Sequence, residues 1–470
     1  MRRIVALLAL LCAPALGFAQ TLPSPQVAIP TLPTQATPKG YVDAGLSAKR
    51  DATLFPTPQD NVPAGQAAAL GTGGMNASPA VQAAWAKGAA RIPCGQYRLD
   101  TPLIAPASNT ALLAESNGCV QVVVTFTNGD VVTLPAGMTN ITISGIQFVT
   151  SVVRTSGAAI HVAGATNTLL HDLKIEKGAG GQWWDGLLVS NGAVVTRVGN
   201  FYFSDMGNDC IRLENRVVDT FIATGNTAGC NIGIRLRSAS GVFLSYLDLV
   251  GSTNIGLVVD PVLANGDSVD AVTGDTVLSD TSGNAGILLG GTGGITEFNV
   301  ANFWASASGT SGVFTPGQVI NTAGTGMVID NENVNGVALA SPRFKGNGGH
   351  GIQIIHGSNI ILTGAQALMN GASFGTVPPG GGPASTLRLN GIQIEGQATN
   401  ISIFAPIAGQ GGWEPGVGLP QKQGYGLFRN ATGTGGQMVT LIGGQFNGNV
   451  IGTYLLSATT GDHIVDLGNQ

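Results

Sequence analysis

The chain has 470 residues, among them 71 Gly and 23 Pro, with 43% hydrophobic and only 10% charged residues. That hydrophobic fraction excludes an intrinsically disordered chain, and the scarcity of charge excludes a helical bundle or coiled coil. The glycines keep no triplet period, which excludes collagen, so an all-β chain with many turns remains.

Arg2 and Arg3 precede an apolar run from Ile4 to Leu16, and Gly17-Phe18-Ala19 follows with small residues at the positions a signal peptidase reads. Residues 1–19 are therefore expected to be a secretory signal peptide cleaved before Gln20. The protein is then exported, to the periplasm or outside the cell. The run is too short to span a bilayer and no later stretch matches it, so no membrane span is expected. Loss of Arg2 and Arg3 leaves 19 basic against 26 acidic residues, a net charge of −7. No basic patch is visible, so nucleic acid is not an expected partner. Cys94, Cys119, Cys210 and Cys230 remain. Their even number in an exported chain favours two disulfides, and with no C-x-x-C pair or Cys/His cluster no structural metal site is expected.

Residues 20–40 are rich in Pro, Thr and Gln and read as an extended linker. Residues 41–90 form an N-terminal cap region. There Ser78-Pro79 reads as N-cap and first helical position, and Val81, Ala84 and Trp85 recur at helical spacing up to Lys87. A first strand is expected over Arg91–Leu99.

Beyond Ile141 one phrase recurs: a small residue, an aliphatic, any residue, an aliphatic. It appears as Ala159-Ile160-His161-Val162, Gly186-Leu187-Leu188-Val189, Cys210-Ile211-Arg212-Leu213 and Gly233-Ile234-Arg235-Leu236. It returns from Gly256, Gly286, Gly326, Gly351 and Gly391, with weaker copies at Gly426 and Gly452. Early steps are about 23 to 27 residues. Later steps lengthen through Gly/Pro-rich insertions such as 375–383. Such a period with short alternating strands marks a β-solenoid, because each coil buries its aliphatics only against its neighbours. The fold class expected over residues 91–470 is all-β, a single-stranded right-handed parallel β-helix whose first coil is covered by the capping helix. Asn and Gly between strands supply left-handed backbone angles.

The interior of a solenoid is packed core, so chemistry belongs on outward positions. One outward column reads His161, Leu188, Arg212, Arg235, Val258 and the next reads Ser190, Glu214, Arg237, Asp260. Asp185 and Asp209 introduce successive coils 24 residues apart, and Trp183 and Trp184 stand beside the first. Two carboxylates on neighbouring coils can divide acid and base roles at a glycosidic bond, with a Trp stacking on a sugar. Equally, an Asp before a strand caps a turn and a Trp packs under a loop. The flanking arginines are expected to keep both carboxylates ionised and to suit an acidic sugar. His161, and also His171, Asp172 and Lys174, fall on the coils just before.

The repeats over residues 78–470 resemble the right-handed parallel β-helix (pectin lyase-like) superfamily of pectate lyases, polygalacturonases and phage tailspikes. Val81-Gln82-Ala83-Ala84-Trp85 followed by Ile92–Leu99 resembles the first helix and strand of tailspike-like members. Asp185-Gly186-Leu187 and Gly207-Asn208-Asp209-Cys210-Ile211 resemble the two catalytic phrases of glycoside hydrolase family 28 polygalacturonases, with Asn208 where that family has its general acid. That resemblance implies hydrolysis of a polysaccharide, with Asp185 and Asp209 catalytic. Asn208, Glu214, Arg237, His161, Trp183 and Trp184, from the local cluster and the outward columns, are expected to bind substrate. Such a hydrolase needs no cofactor. A lyase of the same superfamily implies instead Arg212 or Arg235 as base and calcium held by Asp185, Asp209 and Glu214. A carbohydrate-binding or surface protein without catalysis is the third alternative. The family's disulfide between the phrase Cys and one downstream implies Cys210–Cys230, a spacing near one coil; Cys94–Cys119 has the same spacing. Each bridge would contribute about 3 kcal/mol.

Overall fold

The computed structural model describes residues 76–309 and 324–370 continuously. It further describes segments 390–395, 397–409, 425–429, 438–446, 452–455 and 463–465, with Gln423 and Asn449. The expected signal peptide, the linker, most of the cap region and the 375–383 insertion lie outside the described residues.

Every strand pairing is parallel. The described strands form one 13-stranded and one 21-stranded sheet, and the chain passes from one sheet to the other in every coil. That is the coil of a right-handed parallel β-helix, and two antiparallel sheets packed face to face are excluded. The repeated phrase builds the 13-stranded sheet. The first aliphatics of successive phrases, Ile160, Leu187, Ile211, Ile234, Leu257 and Ile287, pair directly with one another. Met327, Ile352, Ile392 and Leu427 continue the column. All ten are buried, so the column is the inner wall of the sheet.

The small residue that opens the phrase has a steric cause. A Cβ built on Gly186 would stand 2.5 Å from the Cys210 carbonyl oxygen. On Gly233 it would stand 2.5 Å from that of Gly256, and on Gly326 2.5 Å from that of Gly351. Each glycine lets the carbonyl of the next coil approach, and backbone is the one neighbour that cannot rotate away. Cys210 occupies the same column with its side chain taken into the bridge to Cys230.

The long strands of the other sheet turn corners at single left-handed residues. One such column runs through Asp172, Asn200, Thr224, Tyr246 and Thr276, all with φ between 48° and 56°. A second runs through Asn140, Asn167, Val195 and Asp219. Asn side chains stack there, Asn140 donating to Asn109 at 2.7 Å and Asn167 to Asn140 at 2.5 Å. Asn adopts this conformation readily. Val195 and Thr224 do so at a cost of about 1 kcal/mol, held by ladder bonds on both flanks.

The capping helix spans Ser78–Trp85, with Val81, Ala84 and Trp85 buried. It ends earlier than the expected Lys87, and its cap position is Ala77, not Ser78. The Ser78 hydroxyl instead accepts the amides of Asp100 and Thr101 at 3.1 and 3.2 Å, and Asn76 accepts the Ser78 amide at 3.0 Å. Gln82 docks the helix on Ile104, bonding both its carbonyl and its amide. The expected first strand is two, Ala89–Ile92 and Gly95–Leu99, broken at Pro93, which has no amide to donate. Both expected disulfides form, Cys94–Cys119 and Cys210–Cys230, with Cα separations of 4.8 and 5.8 Å.

The glycine column is directly testable. Gly326→Ala is expected to cost about 1–3 kcal/mol, since the added methyl meets backbone. Chemical denaturation that shows Gly326→Ala as stable as the parent would refute the steric reading.

Candidate functional site

The site is built from three successive strands of the 13-stranded sheet, Asp185–Ser190, Asp209–Leu213 and Ile232–Leu236. Register aligns Leu188, Arg212 and Arg235 across them. Because the flanking aliphatics point into the core, these side chains point outward.

Three arginines and four carboxylates form one zigzag. Arg212 donates to Asp185 Oδ2 at 2.7 Å and lies 3.5 Å from Glu214 and 4.0 Å from Asp209. Arg235 donates through Nε to Asp209 Oδ2 at 3.0 Å and through Nη1 to Asp260, which also pairs with Arg237 at 3.4 Å. Asp185 Oδ1 further accepts the Asn208 side chain at 2.8 Å and the Asp209 amide at 3.1 Å. Asn208, placed by sequence among the substrate contacts, orients Asp185.

Asp185 and Asp209 do come together on adjacent coils, but neither lies open on the surface: both are 0% exposed. The expected effect of the arginines is present, since they lower both carboxyls, but burial acts more strongly. Burial raises both carboxyls above the ordinary value despite the arginines, and Asp209 reaches about 6. Asp209 has Asp185 as a like-charged neighbour, and Ile232 and Ile255 continue its column. Its Oδ1 is buried without a hydrogen-bond partner among the described residues.

The two Trp separate. Trp183 is fully buried, its indole nitrogen donating to the Glu176 carbonyl at 2.8 Å and its ring packed on the buried Arg154 guanidinium, so it cannot stack on a sugar. Trp184 is 37% exposed. His161 lies in the site sheet, whereas His171, Asp172 and Lys174 belong to Thr166–Lys177 of the other sheet and do not line this face. The His161 ring bridges Asp130, at 2.6 Å from Nδ1, and Ser190, at 2.7 Å from Nε2. Sequence reasoning passed over Asp130 as a site residue because it precedes its strand by two positions and belongs to no repeated phrase. Asp260 and Ser190 had a signal, their place in the outward column beside Glu214 and Arg237. Past Asp260 the face turns apolar, with Ile255, Val258, Ala285 and Val328 buried in a cluster of their own.

The carboxylates proposed for calcium are already paired with arginine. Among the described residues no three His, Cys, Asp or Glu side chains are placed to hold a metal ion. No described helix is long and apolar enough to cross a membrane.

The all-parallel coils with their in-register columns define the class: a right-handed parallel β-helix. The chain matches no protein-family profile and no curated protein by sequence. Among solved structures it is similar to tailspike protein 3 of bacteriophage CBA120. That likeness has 12% identity and a TM-score of 0.54, over 89% of this chain and 62% of that one. It is also similar to the Azotobacter vinelandii mannuronan C-5 epimerase AlgE6 A-module, at 12% identity and a TM-score of 0.49, over 83% and 94% of the two chains. A third is the catalytic domain of a GH87 alpha-1,3-glucanase in complex with tetrasaccharides, at 10% identity and a TM-score of 0.43, over 88% and 69%. At 12% identity the likeness to the tailspike bears on the fold alone.

Two outcomes follow from the buried charges. The folded-state pKa of Asp209 is raised, so the folded protein binds a proton that the unfolded chain releases near pH 4. Stability therefore falls as pH rises from about 4 to about 6. Asp209→Asn removes this contribution, so the parent loses stability relative to the variant across that window; a pH-independent difference in denaturation midpoints would contradict it. Arg235→Met leaves Asp209 and Asp260 without their shared partner and is expected to cost about 3–5 kcal/mol at neutral pH. Unchanged stability of that variant would show that the pairs contribute nothing.

Proposed function

We propose that this chain is an exported carbohydrate-active protein that holds an acidic polysaccharide along the outward face of the coils beginning at Gly186, Cys210 and Gly233. The observation that carries the reading is the interleaved charge on that face. Arg212, Arg235 and Arg237 keep 19%, 15% and 33% of their side chains exposed, beside Glu214 and Asp260, in a chain only 10% charged. Guanidinium groups already oriented by carboxylates present fixed donors to sugar carboxylates and hydroxyls, and no ordering entropy is then lost on binding. Trp184 offers an aromatic face at the edge of the same region. The epimerase, tailspike and glucanase named above share the scaffold, which is compatible with a saccharide ligand here. Export rests on the signal-peptide pattern and agrees with two disulfides.

Hydrolysis is a second reading, favoured by Asp209. A carboxyl raised to about 6 with one unpaired oxygen can carry a transferable proton in mildly acidic solution, with Asp185 beside it. It requires Arg212 and Arg235 to move aside, since both carboxyls are covered. The lyase reading needs an arginine free to take a proton, whereas Arg212 and Arg235 each donate to carboxylates on both sides. No step is derived through calcium.

Affinity electrophoresis in a polyuronate and in a neutral glucan tests the assignment. The polyuronate is expected to retard the protein and the glucan not, with retardation weakening as salt rises. Arg237→Ala and Trp184→Ala are each expected to weaken binding about tenfold, equivalent to about 1.4 kcal/mol. Equal retardation in both polymers, or unaltered variants, would overturn the acidic-ligand reading. New reducing ends that vanish in Asp209→Asn would establish hydrolysis.

A further inference from the structure

Three coils deliver an acid, an imidazole and a hydroxyl to one point beside the arginine cluster. Asp130 precedes the strand Val132–Pro135, His161 stands in the middle of Ala158–Ala163, and Ser190 ends Asp185–Ser190. Their order along the chain of hydrogen bonds is carboxylate, Nδ1, Nε2, hydroxyl, at 2.6 and 2.7 Å. The protons are determined by that order. Burial alone would raise the Asp130 carboxyl, but its bonds to the His161 ring and the Ala158 amide hold it below the ordinary value. It is therefore ionised and only accepts, so Nδ1 carries the proton that bridges them. In the tautomer with its proton on Nδ1, Nε2 is an acceptor and Ser190 donates its hydroxyl proton to it. Asp130 is itself anchored, its other oxygen accepting the Ala158 amide at 2.9 Å.

We propose that Ser190, His161 and Asp130 form a catalytic relay that removes short O-acyl groups from a saccharide ester lying on this face. Ser190 Oγ attacks the ester carbonyl carbon while its proton passes to Nε2 of His161. The bond from that carbon to the sugar oxygen then breaks, the sugar oxygen takes the proton from Nε2, and the acyl group stays on Oγ. Water repeats the sequence, forming the C–O bond of the carboxylic acid and returning the proton to Ser190. Ser190 and His161 touch the reacting atoms, and Asp130 is a positioning residue that holds the tautomer.

Access limits the substrate. Ser190 is 2% exposed and the His161 side chain 14%, so only a group as small as an acetyl is expected to reach the hydroxyl. Asn191 and Gly192, both left-handed, follow Ser190 and end its strand there. Arg212 stands in the His161 column two strands on, placed for the charge of an acidic sugar. This activity goes beyond polysaccharide binding and does not depend on it, because a simple aryl ester carries no sugar.

The full chain would be incubated with a fluorophosphonate probe and peptide-mapped, and its hydrolysis of p-nitrophenyl acetate and p-nitrophenyl palmitate followed. The expected results are one adduct, on Ser190, and turnover of the acetate but not the palmitate. Ser190→Ala should lose both labelling and turnover with its denaturation midpoint kept. Asp130→Asn should lower kcat on the order of 10³-fold or more while KM stays, which a purely structural role would not produce. An unlabelled Ser190 in the parent protein, or a Ser190→Ala variant that hydrolyses the acetate at the parent rate, would overturn the relay; the labelling experiment needs no variant to fold.

Discussion

Parallel coils stacked in register, about 4.8 Å apart, are the constraint on which everything else in this protein depends. At that spacing each residue meets the equivalent residue one coil on, so a position is chosen once and reused. The first aliphatic of the phrase meets only other aliphatics, from Ile160 to Leu427, and the inner wall follows. The same spacing brings the next coil's carbonyl within 2.5 Å of where a Cβ on Gly186, Gly233 or Gly326 would sit, which keeps those positions small. Turning the chain at each corner needs one left-handed residue per coil, and these residues stack as well.

Stacking also explains why the carboxylates behave unlike surface groups. Asp185 and Asp209 point to the outward face, yet neighbouring coils and their own arginines cover them. Desolvation and pairing then act in opposite directions. The raised pKa of both shows that desolvation prevails, most at Asp209, where isoleucines continue the column. The arginines respond differently: their longer side chains reach solvent while their donors stay engaged. The accessible part of the cluster therefore mixes Arg212, Arg235 and Arg237 with Glu214 and Asp260, and its deepest members are the acids Asp185 and Asp209.

Polar columns in this solenoid are of two kinds. Inside the helix, Asn347 donates to Asn370 at 2.9 Å and Gln423 to Asn449 at 2.8 Å. That is an amide ladder, one group repeated, with each member satisfying its neighbour and the adjacent backbone. Asp130, His161 and Ser190 are three different groups hydrogen-bonded in a directed order. A ladder serves coil packing and needs no such asymmetry.

The sequence by itself determined the coil. The repeated phrase carried the strand register, the inner wall and the parallel pairing, because period-two alternation and a constant repeat are properties of the chain alone, and cysteine spacings near one coil pointed to both disulfides. It also placed Asp185, Asp209, Arg212 and Arg235 on adjacent coils of one face. The tertiary structure decided which of these reach solvent and what they touch. Trp183 and Trp184 are consecutive, yet one packs on Arg154 and the other is exposed. Ser190 and Asp130 lie 60 positions apart and meet through His161 alone. Alternation tells whether a side chain points outward. Whether it is then covered, paired or free depends on groups from the coils on either side, and no local pattern contains them.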